Sequence, residues 1–179
     1  MECGYYKDYT DYAKYKMPLT GFLPTMRLIV RTANPDMLKT NHIKQGDRCA
    51  VFFSASHQMI KSMRCDFRIT SCISDDMPQN RFEYYVTYII KGELYIPDLR
   101  NEELRYNFNG SSRDAMMDIA KRLRLAFFFC DPEDTAEDVM VWCNCKTPEL
   151  FIHDLTTHAW KNANSFFESW IDPRYGLSF

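Results

Sequence analysis

The sequence predicts a mainly β, α+β fold, and three observations carry that expectation. Four short segments of period two follow one another between residues 48 and 99, separated by polar turns. After Asn109-Gly110 the apolar period lengthens to about three and a half residues, the spacing of an amphipathic helix. Hydrophobic residues make up 46% and aromatics 15% of the 179 residues, ample apolar surface for a core.

Taken in order, residues 1–20 carry tyrosine and charge without a period and are read as an arm ahead of one domain spanning 21–179. Met26–Thr32 is β-branched and bounded by turn residues, so it is predicted as a strand. Gly46-Asp47 marks a second turn, and strands are expected at 48–55, 63–72, 81–90 and 92–99. In the third of these, Phe82, Tyr84, Val86, Tyr88 and Ile90 share one face, while Glu83, Tyr85, Thr87 and Ile89 share the other. Lys91-Gly92 reads as a tight connection to the next strand. Runs of short strands joined in this way suit a small antiparallel barrel.

The helical period then places Ala115, Met116, Ile119, Ala120, Leu123 and Phe127 on one stripe, with Ser111 and Asp114 as a start signal. That helix should end before the acidic loop at 131–138. Residues 139–145 read as a strand and 148–155 as a turn into a strand or a helix start. Residues 156–170 read as a helix that packs through Trp160, Phe166, Phe167 and Trp170.

Composition narrows the function. The net charge is −2, whereas a protein that grips nucleic acid through its phosphates carries excess cations, so nucleic acid is not expected as a partner. No apolar run reaches the length that crosses a bilayer, and residues 1–16 do not read as a signal peptide, so no membrane partner and a cytoplasmic location are expected. The seven cysteines are scattered and sit mostly in apolar runs, the usage of buried reduced thiols. Cys143 and Cys145 are too close for a paired zinc motif and have no second pair, so no metal is expected. Without a glycine-rich phosphate cradle, a nucleophile elbow or a paired His and Cys motif, neither an enzyme nor a cofactor is predicted.

Several segments are similar to the Tudor pattern. Gly46-Asp47 opens the first strand, Val86 to Glu93 occupies the third-strand motif, and Leu104-Arg105 supplies the closing pair, giving a core at about 43–105. With flanking strands and helices at 24–42 and 106–170, the chain resembles an extended Tudor domain, a Tudor-like small β-barrel joined to a staphylococcal-nuclease-like β-barrel, and a divergent member with a degenerate aromatic cage. The resemblance implies a non-catalytic adaptor of the piRNA pathway that binds an arginine-containing peptide, such as the tail of a PIWI-class Argonaute, in the cytoplasm or in germline perinuclear granules.

By position in the motif, Phe53 takes the first cage place, Met59 or Ile60 the second, Tyr88 the third and Lys91 the fourth, with Glu93 in place of the orienting asparagine. Ring faces hold a methylated guanidinium through their quadrupoles, whereas a carboxylate pairs with an unmodified one. With two aromatics kept and Lys91 nearby, the expected mode is unmethylated or weakly methylation-selective.

Three other readings stand beside it. Phe53 and Tyr88 on barrel strands also suit a plain core. Residues 82–95 followed by 106–123 imitate a double-stranded-RNA-binding fold, but the helix opens without lysines to clamp phosphates. The stripe Trp160, Phe166, Phe167 and Trp170 suits a structural module that forms a homodimer.

Overall fold

The computed structural model describes residues 10–16, 22–32, 43–53, 63–80, 83–101, 103, 105–131, 134–136, 140–144 and 146–179. The chain divides into two compact units, one of Met1–Leu19 with Leu23–Tyr95 and one of Thr20–Phe22 with Ile96–Phe179.

The first unit is an antiparallel sheet of β1 (Thr10–Lys16), β2 (Thr25–Thr32), β3 (Arg48–Phe53), β4 (Met63–Asn80) and β5 (Glu83–Leu94). The strands lie in the order β1-β2-β5-β4-β3. Alternation sets the faces: Met26 on β2, Cys65, Phe67 and Ile69 on β4, and Ile90 and Leu94 on β5 are buried on the inner side. A register shift between Ile69 and Ser71 inserts one residue into β4, so the inward phase passes to Cys72, opposite Ile90. Burial there pushes the Cys72 thiol above its ordinary value.

The predicted turn at Gly46-Asp47 forms. Gly46 sits at φ +95, and its N–H donates to the Ile69 carbonyl at 2.8 Å. Lys91-Gly92 does not turn but lies inside the continuous strand β5. A Cβ at Gly92 would stand 3.0 Å from both the Arg68 carbonyl oxygen and Met26 Cε, so glycine here answers close packing between strands. The expected strand at 92–99 is accordingly divided between the end of β5 and a short helix, α1 (Pro97–Asn101). With β1 and β3 at its edges, the sheet is open rather than the closed small barrel that the sequence suggested. Part of the stretch read as an arm is the edge strand β1.

The second unit is built on helices α1, α2 (Ser112–Arg122) and α3 (Pro148–His158), with seven short strands among the described residues. β6 (Tyr106–Gly110) pairs antiparallel with β8 (Met140–Asn144). β12 (Gly176–Ser178) lies between β11 (Trp170–Ile171) and β7 (Ala126–Phe128), antiparallel to the first and parallel to the second. β9 (Trp160–Asn162) and β10 (Ser165–Phe166) form a hairpin.

The α2 stripe is buried as its period predicts, with Ala115, Met116, Ile119 and Ala120 at 0% exposure, and α2 packs against α3, which buries Phe151, Ile152 and Leu155. Arg100 of α1 grips Glu149 of α3 through two hydrogen bonds, Nε to Oε2 at 2.6 Å and Nη2 to Oε1 at 2.9 Å. Two expectations differ here. Phe127 leaves the helical stripe and lies on β7. Of residues 156–170 only 156–158 are helical: α3 stops at His158, and the hairpin follows, its turn fixed by Asn162 Oδ1 accepting the Asn164 N–H at 3.0 Å. Among the described residues no helix is long and apolar enough to cross a membrane.

Candidate functional site

The residues predicted to form a peptide pocket belong to the first unit, and Met59 and Ile60 lie outside the described residues. Phe53 closes β3 opposite Met63, half-buried and in phase with Cys49 and Val51 on the inner face. Tyr88 stands on β5 opposite Val30 and Ser74, in phase with the buried Ile90 and therefore also on the inner face. Lys91 and Glu93 alternate with Ile90, Gly92 and Leu94 and belong to the outer face. Met63 and Ser74, the partners of Phe53 and Tyr88, lie on the same strand β4. At about 3.3 Å per residue this sets roughly 35 Å of strand between them. The sheet thus brings Lys91 and Glu93 together, holds the two rings apart, and places rings and carboxylate on opposite sides.

A better-formed candidate surface lies in the second unit. Its floor is an aromatic cluster in which Phe167 stacks on Phe129 at 5.7 Å and tilts against Phe179 at 5.1 Å. The Arg113 guanidinium lies 4.5 Å over the Phe129 ring and pairs with Asp134 at 3.4 Å, which fixes the cluster from one side. A cleft of about 450 Å³ shares Phe167 and Phe179 with this cluster and is lined also by Phe166, Trp170, Glu168 and the Lys161–Asp131 ion pair at 2.8 Å. Phe166 precedes the anchored Phe167 and is 75% exposed, and the hairpin register sets it opposite Trp160, itself 42% exposed. Two large rings held side by side on a short hairpin, next to an ion pair, offer the chemistry of an anchor for another protein surface.

Sequence reasoning found Trp160 and Phe166 but gave them to a helix. Strands of two and three residues leave no period to read, and the usable signal was the Asn162-Ala163-Asn164 turn.

No family model and no curated protein matches this sequence. Solved structures do. A 43 kDa tail protein of prophage MuSo2 from Shewanella oneidensis superposes with a TM-score of 0.55 at 13% identity, over 95% of this chain and 49% of that one. The tail protein of Neisseria meningitidis MC58 gives 0.51 at 10% identity, over 93% of this chain and 44% of that one. The fold is tail-protein-like. The chain spans about half the length of these solved structures.

This likeness replaces the extended Tudor resemblance. The tail-protein-like fold accounts for nearly the whole chain, whereas the Tudor pattern rested on alternating residues that any antiparallel sheet supplies, and its supposed motif runs unbroken through Lys91-Gly92. The expectations that depended on the resemblance fall with it: the piRNA-pathway adaptor, the arginine-containing peptide of a PIWI-class Argonaute as partner, and placement in the cytoplasm or in germline granules.

Proposed function

We propose that this chain is a non-catalytic structural component of a phage-type tail, and that its partners are other tail components. The observation that carries the reading is the extent of the likeness: both tail proteins match at least 93% of the chain, so both compact units take part rather than one common small motif. The exposed Trp160 and Phe166 support it, because an assembly component works through anchors of this kind.

The test is made in the organism that carries the gene. Tail particles purified from it should contain the chain in stoichiometric amount by mass spectrometry, and disruption of the gene should leave no assembled tails by electron microscopy. A chain with Trp160→Glu and Phe166→Glu should remain folded and fail to restore assembly. Normal tails in the disrupted strain, with the chain absent from purified particles, would refute the reading.

A further inference from the structure

The outer face of the five-stranded sheet carries a charge pattern that its fold does not require. The register sets Arg27 on β2 opposite Lys91 on β5, two cations side by side. A second like-charge pair, Arg48 with Arg68, joins β3 to β4. Like charges directly opposite one another on a sheet weaken it. Arg64 is tied to Asp66 at 2.9 Å, and Arg48 lies 4.2 Å over the Tyr95 ring while donating to its hydroxyl at 2.7 Å. Arg27, Arg68 and Lys91 are exposed and make no ion pair among the described residues.

Beside the cation pair runs an apolar row. Ile29, Ile89 and Ile73 stand in register across β2, β5 and β4, and Ile73 is 53% exposed. Two residues along each strand separate pair and row, about 7 Å. Neighbouring strands are about 4.8 Å apart and successive turns of an α-helix rise 5.4 Å, so a helix crossing the strands would meet one strand per turn.

We propose that this face docks an acidic amphipathic helix of a partner protein, with apolar side chains on the Ile29-Ile89-Ile73 row and glutamates one turn apart facing Arg27 and Lys91. The isoleucine row distinguishes this occupant from a nucleic acid, whose phosphates would meet an apolar strip and the interspersed Asp66 and Glu93. The inference goes beyond the tail reading and does not depend on it, since the surface is defined by the sheet alone.

The experiment uses the full chain and a synthetic amphipathic peptide with leucines along one face and glutamates along its edge, followed by fluorescence anisotropy at low and at physiological salt. The glutamate peptide should bind, more weakly as salt rises, and its lysine counterpart should not. Arg27→Glu with Lys91→Glu should weaken the glutamate peptide by about tenfold or more and create binding of the lysine peptide, a gain that an unfolded variant cannot show. Ile73→Ser should weaken it by about threefold to tenfold. Equal binding of both peptides, indifference to the charge reversal, or displacement of the peptide by a short duplex DNA would overturn the proposal.

Discussion

The two compact units reach a defined structure by different means. In the first, antiparallel pairing runs through five strands, and the face a side chain takes follows from alternation and from register shifts such as the bulge between Ile69 and Ser71. In the second, the strands are short and fall into three small sheets, and β11 pairs with β12 through only Trp170–Ser178 and Ile171–Leu177. Ladders of that length cannot fix register alone, so particular polar contacts do. Asp172, 8% exposed, accepts the Arg174 N–H at 2.7 Å and the Gly176 N–H at 3.0 Å through Oδ1, and its Oδ2 meets the Arg174 guanidinium at 3.2 Å. Trp142 on β8 does the same service for β6 by donating Nε1–H to the Gly110 carbonyl at 3.2 Å. Where the ladder is long, geometry is spread over many residues; where it is short, single side chains carry it.

The comparison can be broken at its strongest points. Phe67 is fully buried in the first third of β4, between Cys49 on β3 and Leu94 on β5. Phe67→Ala should cost about 3–5 kcal/mol, read as a lower urea midpoint, with hydrogen-exchange protection falling along β2 to β5. Equal loss of protection in α2 and α3 would show that the units do not stand as separate cores. The next largest effect is expected from Asp172→Ala, which leaves two turn N–H groups without their carboxylate and should cost about 2–3 kcal/mol. The loss should concentrate in β11, β12 and β7, and protection unchanged there would mean that the aromatic cluster, not the turn, holds these strands.

The same contrast explains what the sequence reveals and what it hides. Strands β2, β3 and the first half of β4, together with helix α2, follow directly from their periods, because residues such as Cys65, Phe67, Met116 and Ile119 repeat at the spacing that buries them. The continuity of β5 is hidden because Lys91-Gly92 has the composition of a turn, and only the closeness of Met26 and Arg68 shows why glycine is there. The hairpin at Trp160 and Phe166 is hidden because two-residue strands have no period. The outer face was legible in part: Arg27, Arg48 and Arg68 occupy one phase of their strands, but which cation meets which depends on strand order, and local patterns do not give that. A family resemblance built on those same alternating residues inherits this ambiguity, since alternation reports a half-buried sheet and not its connections.

The smallest expected effect tests the part of the second unit that behaves most like the first. Helix α2 is placed by a long apolar stripe, yet it also has a local device at its start, where Asp114 N–H donates to Ser111 Oγ at 3.2 Å and Ser111 holds an extended backbone at φ −72, ψ 164. Loss of that acceptor in Ser111→Ala should cost about 1 kcal/mol, and Ser111→Asp should retain it, because an aspartate accepts the same N–H and complements the helix dipole. The measurement is the urea midpoint of the three proteins under one buffer. A destabilised alanine variant with an intact aspartate variant would mean that even this packed helix relies on a single polar contact, as the neighbouring short strands do. A neutral alanine variant would mean that burial of Met116 and Ile119 sets the helix start, and the division would then fall between long and short elements rather than between the two units.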